Sequence, residues 1–172
     1  KGGAVYNSTS FSLIGIGTVI DSLYAIKKTV FEDRKYTLEH LKEMIKADFQ
    51  GFEADRQYLM NKLPKYGQPD AGVDKLAKQV FHDLAKHSSG MPNPRGGYYE
   101  ASLFAFFFYD VVKENTWATP DGRHAGQRIS RGCNPGETSE NIDAATLMNS
   151  LRSIDMAEYP GCGVTYLEMP VS

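Results

Sequence analysis

Trp117-Ala118-Thr119-Pro120-Asp121-Gly122-Arg123-His124-Ala125-Gly126 follows an aromatic run, Leu103-Phe104-Ala105-Phe106-Phe107-Phe108-Tyr109, and these stretches decide the reading of the chain. A run of about seven apolar residues, rich in aromatics and bounded by breakers, reads as a fully buried strand. Thr119-Pro120-Asp121-Gly122 reads as a tight turn, because Pro presets φ, Asp accepts local backbone bonds and Gly tolerates positive φ. Arg123, just past the turn, offers a planar five-donor fork. Asp121, Gly122 and Arg123 are expected to tie this loop together through charge-assisted bonds rather than to touch a substrate. A buried strand feeding a rigid charged loop is where α/β enzymes place function.

Working outward, Gly3 to Ser8 reads as a short strand ending in an Asn-Ser-Thr-Ser turn. Ile16, Val19, Ile20, Leu23, Ile26 and Val30 recur at helical spacing, which predicts a helix over Gly15–Phe31 packed on a sheet. Thr37 is a good N-cap for a second helix carrying Leu38, Leu41, Ile45 and Phe49 on one face. A third helix is predicted from Ala54 to Leu63, stopped by Pro64. A fourth carries Val73, Leu76, Ala77, Val80 and Leu84. Residues 88–97 form a Gly/Pro loop, a late helix spans about Ile142–Ile154, and Gly163–Val171 alternates as a last strand. The chain thus divides into residues 1–90, a strand with packing helices, and 91–172, the aromatic strand, the Arg123 loop and a late helix and strand. Helices outnumber strands and separate them, which suits an α/β architecture.

Composition narrows the function. The 172 residues carry a formal net charge of −2 with interspersed signs, so no basic footprint for nucleic acid or an anionic membrane exists. No apolar run reaches the roughly 18 residues of a transmembrane helix. Two cysteines make no disulfide framework and fit a reducing cytoplasm. The start at Lys1-Gly2-Gly3, with neither an initiator Met nor a signal segment, points to a piece of a longer chain.

Chemistry-bearing patterns are few. Gly15-Ile16-Gly17 with Asp21 lacks the third glycine of a dinucleotide loop, since position 20 is Ile, and reads as a tight packing turn. His40, His82, His87 and His124 have no metal-ligand spacing, and no nucleophile triad can be read. No residue is assigned as catalytic or as a metal ligand. If the aromatic strand lines a barrel, alternate side chains point inward and form a cavity wall; otherwise they fill the core between barrel and helices. A capping Asp110 outside favours the set Ala105, Phe107 and Tyr109 inward. Tyr6 and Asn7, at a strand end, are the other candidates for the cavity rim.

Several motifs together resemble one family. Thr119-Pro120-Asp121-Gly122-Arg123-His124-Ala125-Gly126, followed by Gly132-Cys133-Asn134-Pro135, resembles a late barrel loop of glycyl radical enzymes, the family of pyruvate formate-lyase and related dehydratases, decarboxylases and lyases. Gly2-Gly3-Ala4-Val5-Tyr6-Asn7 with Gly15-Ile16-Gly17-Thr18 and Asp21-Ser22-Leu23 resembles a second segment. Phe49-Gln50-Gly51-Phe52-Glu53, Arg56 and Pro64-Lys65-Tyr66-Gly67 resemble a third. The resemblance implies part of a ten-stranded α/β barrel. It also implies a parent carrying a glycyl radical installed by an S-adenosylmethionine radical activase, a homodimeric parent, and thiyl-radical chemistry on a small organic substrate. Cys133 lies after the Pro-Asp-Gly-Arg turn, where the family has no catalytic cysteine, so it reads as a packed thiol. The chain has no Arg-Val-x-Gly-Tyr glycyl loop and no radical-cysteine loop, so the fragment is expected to be inactive alone. The alternative is a barrel-derived scaffold or partner subunit without catalysis.

Overall fold

Tyr99-Glu100-Ala101-Ser102-Leu103 alternates apolar and polar residues, the period of a strand with two unlike faces. In the computed structural model, which describes residues 3–138 and 143–167, it is the central strand of a three-stranded parallel sheet. The strands are β1 (Thr9–Ser12), β2 (Tyr99–Leu103) and β3 (Cys162–Gly163), in the order β1-β2-β3. Register pairs Thr9 with Tyr99, Ser12 with Ser102 and Cys162 with Ser102. Parallel neighbours need long crossovers. That between β1 and β2 holds the helices α1 (Ile16–Ile26), α2 (Leu38–Lys46), α3 (Glu53–Asn61) and α4 (Ala71–Ser88). Two short helices follow β2, α5 (Phe108–Val111) and α6 (Ala144–Leu151).

The helices form where their sequences allow. The Thr37 side chain accepts from the His40 N–H at 3.1 Å and starts α2. Asp70 accepts from the Gly72 and Val73 N–H groups at 2.9 and 3.0 Å and starts α4, a cap worth about 1 kcal/mol. One face of α4, Val73, Ala77, Phe81 and Ala85, is buried against Ile16, Ile20, Ala101 and Leu103. A second apolar cluster gathers Leu41, Met44, Phe49, Leu59 and Leu63 from α2, α3 and their connections. Gly15, at φ +81°, turns the chain into α1. At Gly17 a Cβ would stand 2.6 Å from the Asn134 carbonyl oxygen, so α1 and the 130–136 segment approach as closely as backbone permits.

The strands differ from expectation. Residues 3–8 lie ahead of β1 and have no strand partner; pairing begins at Thr9, inside the expected turn. The aromatic segment is not a strand beyond Leu103. The chain turns through Phe106 at φ 46°, the Phe108 N–H bonds the Ala105 carbonyl at 2.9 Å, and Tyr109 falls in α5. The rings of Phe104, Phe106, Phe107 and Phe108 instead contact one another in sequence, with Phe106, Phe107 and Phe108 left 57%, 50% and 46% exposed. Pairing at the end of the chain is confined to Cys162–Gly163; Val164–Leu167 is not strand, and residues 168–172 lie outside the described part. The late helix runs from Ala144, capped by Asp143, to Leu151, and Ile142 is outside the described residues.

Candidate functional site

The turn at 119–122 closes through the Gly122 N–H on the Thr119 carbonyl at 3.0 Å. Arg123, 2% exposed, spends its fork on this loop: Nε to Thr119 Oγ1 at 3.1 Å, Nη1 to the His124 and Gln127 carbonyls at 2.9 and 2.6 Å, and Nη2 to the Trp117 carbonyl. Asp121 accepts from Thr119 Oγ1 at 2.5 Å, from Ser22 of α1 at 3.4 Å and from Thr138 at 3.0 Å. Gly122 sits at φ +96° with a position 2.5 Å from Met60 Cγ where a Cβ would fall.

Lys65, buried beneath, donates from Nζ to the Leu59 and Asp121 carbonyls, both at 2.9 Å. Asp21 of α1 accepts the Tyr66 N–H at 2.7 Å through Oδ1, while its buried Oδ2 has no hydrogen-bond partner. Burial pushes the Asp21 carboxyl up to about 7, against the pull of the Lys65 ammonium. These charges are turned on one another and on backbone. They lock α1, the 64–67 loop and the 117–138 segment together.

This carboxyl gives a pH dependence. The folded chain holds a proton that the unfolded chain releases from about pH 4. The Asp21 contribution is therefore fully present at low pH and is lost as pH rises through about 7. Thermal unfolding is expected to show a Tm contribution that falls between about pH 4 and about pH 7 by roughly the linkage slope of one proton and levels off above that, and Asp21→Asn to remove it. An unchanged slope in the variant would refute this protonation.

A second region is open. Ala101, Leu103 and Gly163 face the helices, and a Cβ on Gly163 would meet Met156 and Cys133. Ser10, Ser12, Glu100, Ser102 and Cys162 alternate to the opposite, helix-free face. Ser8 Oγ donates to Glu100 Oε1 at 2.8 Å, and Ser102 Oγ lies 3.3 Å from Cys162 Sγ. Ser8, Ser10, Ser12 and Cys162 are exposed, whereas Ser102 at the centre of the face is buried. The alternation of Tyr99–Leu103 was a signal for this face in the sequence, but a four-residue strand rich in Ser and Thr gave little else.

The sequence-derived lining candidates divide between opposite ends of the sheet. Phe107 is half-exposed in the ring series beyond the C-terminal end of β2. Tyr109 stands beside Arg128, Arg131 and Tyr166. Ala105, of the same expected inward set, is fully buried. Tyr6, 88% exposed, and Asn7 precede β1, where the Asn7 carbonyl accepts from Asn93 Nδ2 at 2.5 Å. The sheet separates the two pairs. Cys133 is a buried thiol that burial pushes up to about 11. Among the described residues, no three His, Cys, Asp or Glu side chains gather as for a metal ion, and no helix is long and apolar enough to cross a membrane.

Residues 1–112 match the family described as pyruvate formate lyase-like. The chain is 31% identical over 155 residues to trans-4-hydroxy-L-proline dehydratase of Clostridioides difficile, covering 90% of this chain and 20% of that protein. It is 33% identical over 140 residues to isethionate sulfite-lyase of Bilophila wadsworthia, covering 81% and 17%. Its fold matches the glycerol-bound B12-independent glycerol dehydratase of Clostridium butyricum with a TM-score of 0.85 and 32% identity, over 94% of this chain and 20% of that one. The chain thus spans about a fifth of the length of the relatives it matches.

Proposed function

The chain belongs to the pyruvate formate lyase-like family of glycyl radical enzymes, as a segment of their α/β barrel, and from that premise we propose that it walls the reaction cavity of a radical dehydratase or lyase. The reaction is elimination from a small hydroxyl-bearing substrate. The observation that carries the reading is the close overlay on a glycerol dehydratase across 94% of the chain. The names of the hydroxyproline and isethionate relatives fit elimination as well. What the residues present supply is enclosure: a sheet whose helix-packed face is covered by Ile16, Ile20, Val73 and Phe81. A glycyl radical installed in the parent by an S-adenosylmethionine radical activase would supply, through a thiyl, the hydrogen abstraction. In this reading the radical glycine and its thiol belong to other parts of a homodimeric cytoplasmic parent, and no turnover is expected from these 172 residues alone.

The test is the intact mass and peptide map of the natural gene product, followed by anaerobic activation and electron paramagnetic resonance. The expected result is a several-fold heavier chain that gives a glycyl doublet. A natural product running only from Lys1 to Ser172 would sink the enzyme reading and leave a non-catalytic scaffold or partner subunit.

A further inference from the structure

We propose that Glu100, on the helix-free face of the sheet, selects a neutral or ammonium-bearing hydroxylic substrate against a sulfonate or other anion. This rests on the barrel reading above and goes beyond it by naming the residue and the substrate class.

The argument starts from the contrast between the two faces. Packing faces of sheets are apolar, because a covering layer is held by the area it removes from water. The helix-packed face obeys this with Ala101 and Leu103. The opposite face carries Ser10, Ser12, Glu100, Ser102 and Cys162, of which Ser102 is buried, and these side chains offer no apolar surface for a second layer. A barrel strand alternates between the outer shell and the interior. With helices holding the outside, the serine-lined face is the interior one.

Its hydroxyls can donate to or accept from a small polyol, and its one ionisable group besides the thiol is Glu100. Among the described residues, no cation stands within 4 Å of that carboxylate; the Ser8 hydroxyl is its hydrogen-bond partner. The nearby Arg95 guanidinium is directed to the Ser8 carbonyl at 2.9 Å. A carboxylate with no cation partner among the described residues repels an anion and attracts an ammonium group, and the effect grows as water is excluded.

Cys162 reports on the wall without knowledge of the substrate and without radical activation. In the unactivated natural gene product, iodoacetamide is expected to alkylate Cys162, as read by peptide mass spectrometry. A bulky polyethylene-glycol maleimide is expected not to reach it. Equal labelling by both reagents would place the face outside. Labelling by neither would place it under packed protein, and either result overturns the proposal while leaving the radical signal of the family reading to stand or fall on its own. Glu100 is read by charge. Glu100→Gln should speed alkylation by anionic iodoacetate relative to neutral iodoacetamide by about fivefold. Ser12→Asp, which adds a charge to the same face, should slow iodoacetate relative to iodoacetamide. A rate ratio unmoved in both variants would overturn the role given to Glu100.

Discussion

Replacing Arg123 by alanine is expected to lower stability by about 3–5 kcal/mol, the range for removing one member of a buried charged network. The guanidinium holds the Trp117, His124 and Gln127 carbonyls and the Thr119 hydroxyl from one buried position. Without it those acceptors are stranded, at about 1–3 kcal/mol for each that water cannot reach. The loop also carries Asp121, so its disorder would release Ser22, Thr138 and the Lys65 contact. Arg123→Lys should recover only part of the loss, since one ammonium cannot span acceptors on both arms of the turn. The measurement is Tm in matched proteins, with a drop of roughly 10 °C expected for alanine. A shift below about 2 °C would show that the loop stands without its arginine.

Gly132→Ala should be comparably damaging for a different reason. Gly132 sits at φ 49°, and a Cβ there would lie 2.2 Å from the Val164 carbonyl oxygen and 3.1 Å from that of Leu103. Those atoms also carry the Cys133–Val164 and Val164–Leu103 backbone bonds that fasten the β3 segment to β2. The left-handed conformation alone costs about 1–2 kcal/mol for an L-residue. The collision adds a backbone displacement of about 1–3 kcal/mol. Gly126→Ala is the control, because Gly126 is also left-handed, at φ 74°, with nothing within 4 Å of its added carbon. The expected pattern is a modest Tm loss at 126, a large one at 132, and new reactivity of the Cys133 thiol towards iodoacetamide only at 132. Equal losses at the two positions would mean that the tight contact is unimportant.

Local chemistry was legible where it is short-range. The Thr37 cap, the stop before Pro64 and the helical stripe through Val73 and Ala77 gave helices in the right places. The strands were misplaced because strand identity depends on a partner. Phe104–Tyr109 has the hydrophobicity of a buried strand, but its rings find each other instead. Thr9–Ser12 has the composition of a turn and becomes a strand because Tyr99–Ser102 lies alongside. The turn chemistry of Thr119–Arg123 could be read directly. The Asp21 bond to Tyr66 and the Lys65 bond to Asp121 could not, since they span 45 and 56 residues.

The order of the sheet has a consequence for how the chain acquires it. The middle strand, β2, is made long after its neighbour β1, and Thr9 must wait for Tyr99. At the usual pace of translation that interval is about 5–20 seconds. During it, helices α1 to α4 can form from local contacts, while β1 has an unsatisfied backbone edge on the side that β2 will occupy. The polar side chains Thr9, Ser10 and Ser12 make that waiting segment a poor seed for association with other nascent chains, since aggregation-prone strands are hydrophobic ones. The serines that give the finished sheet its polar face thus also protect the unfinished one during synthesis.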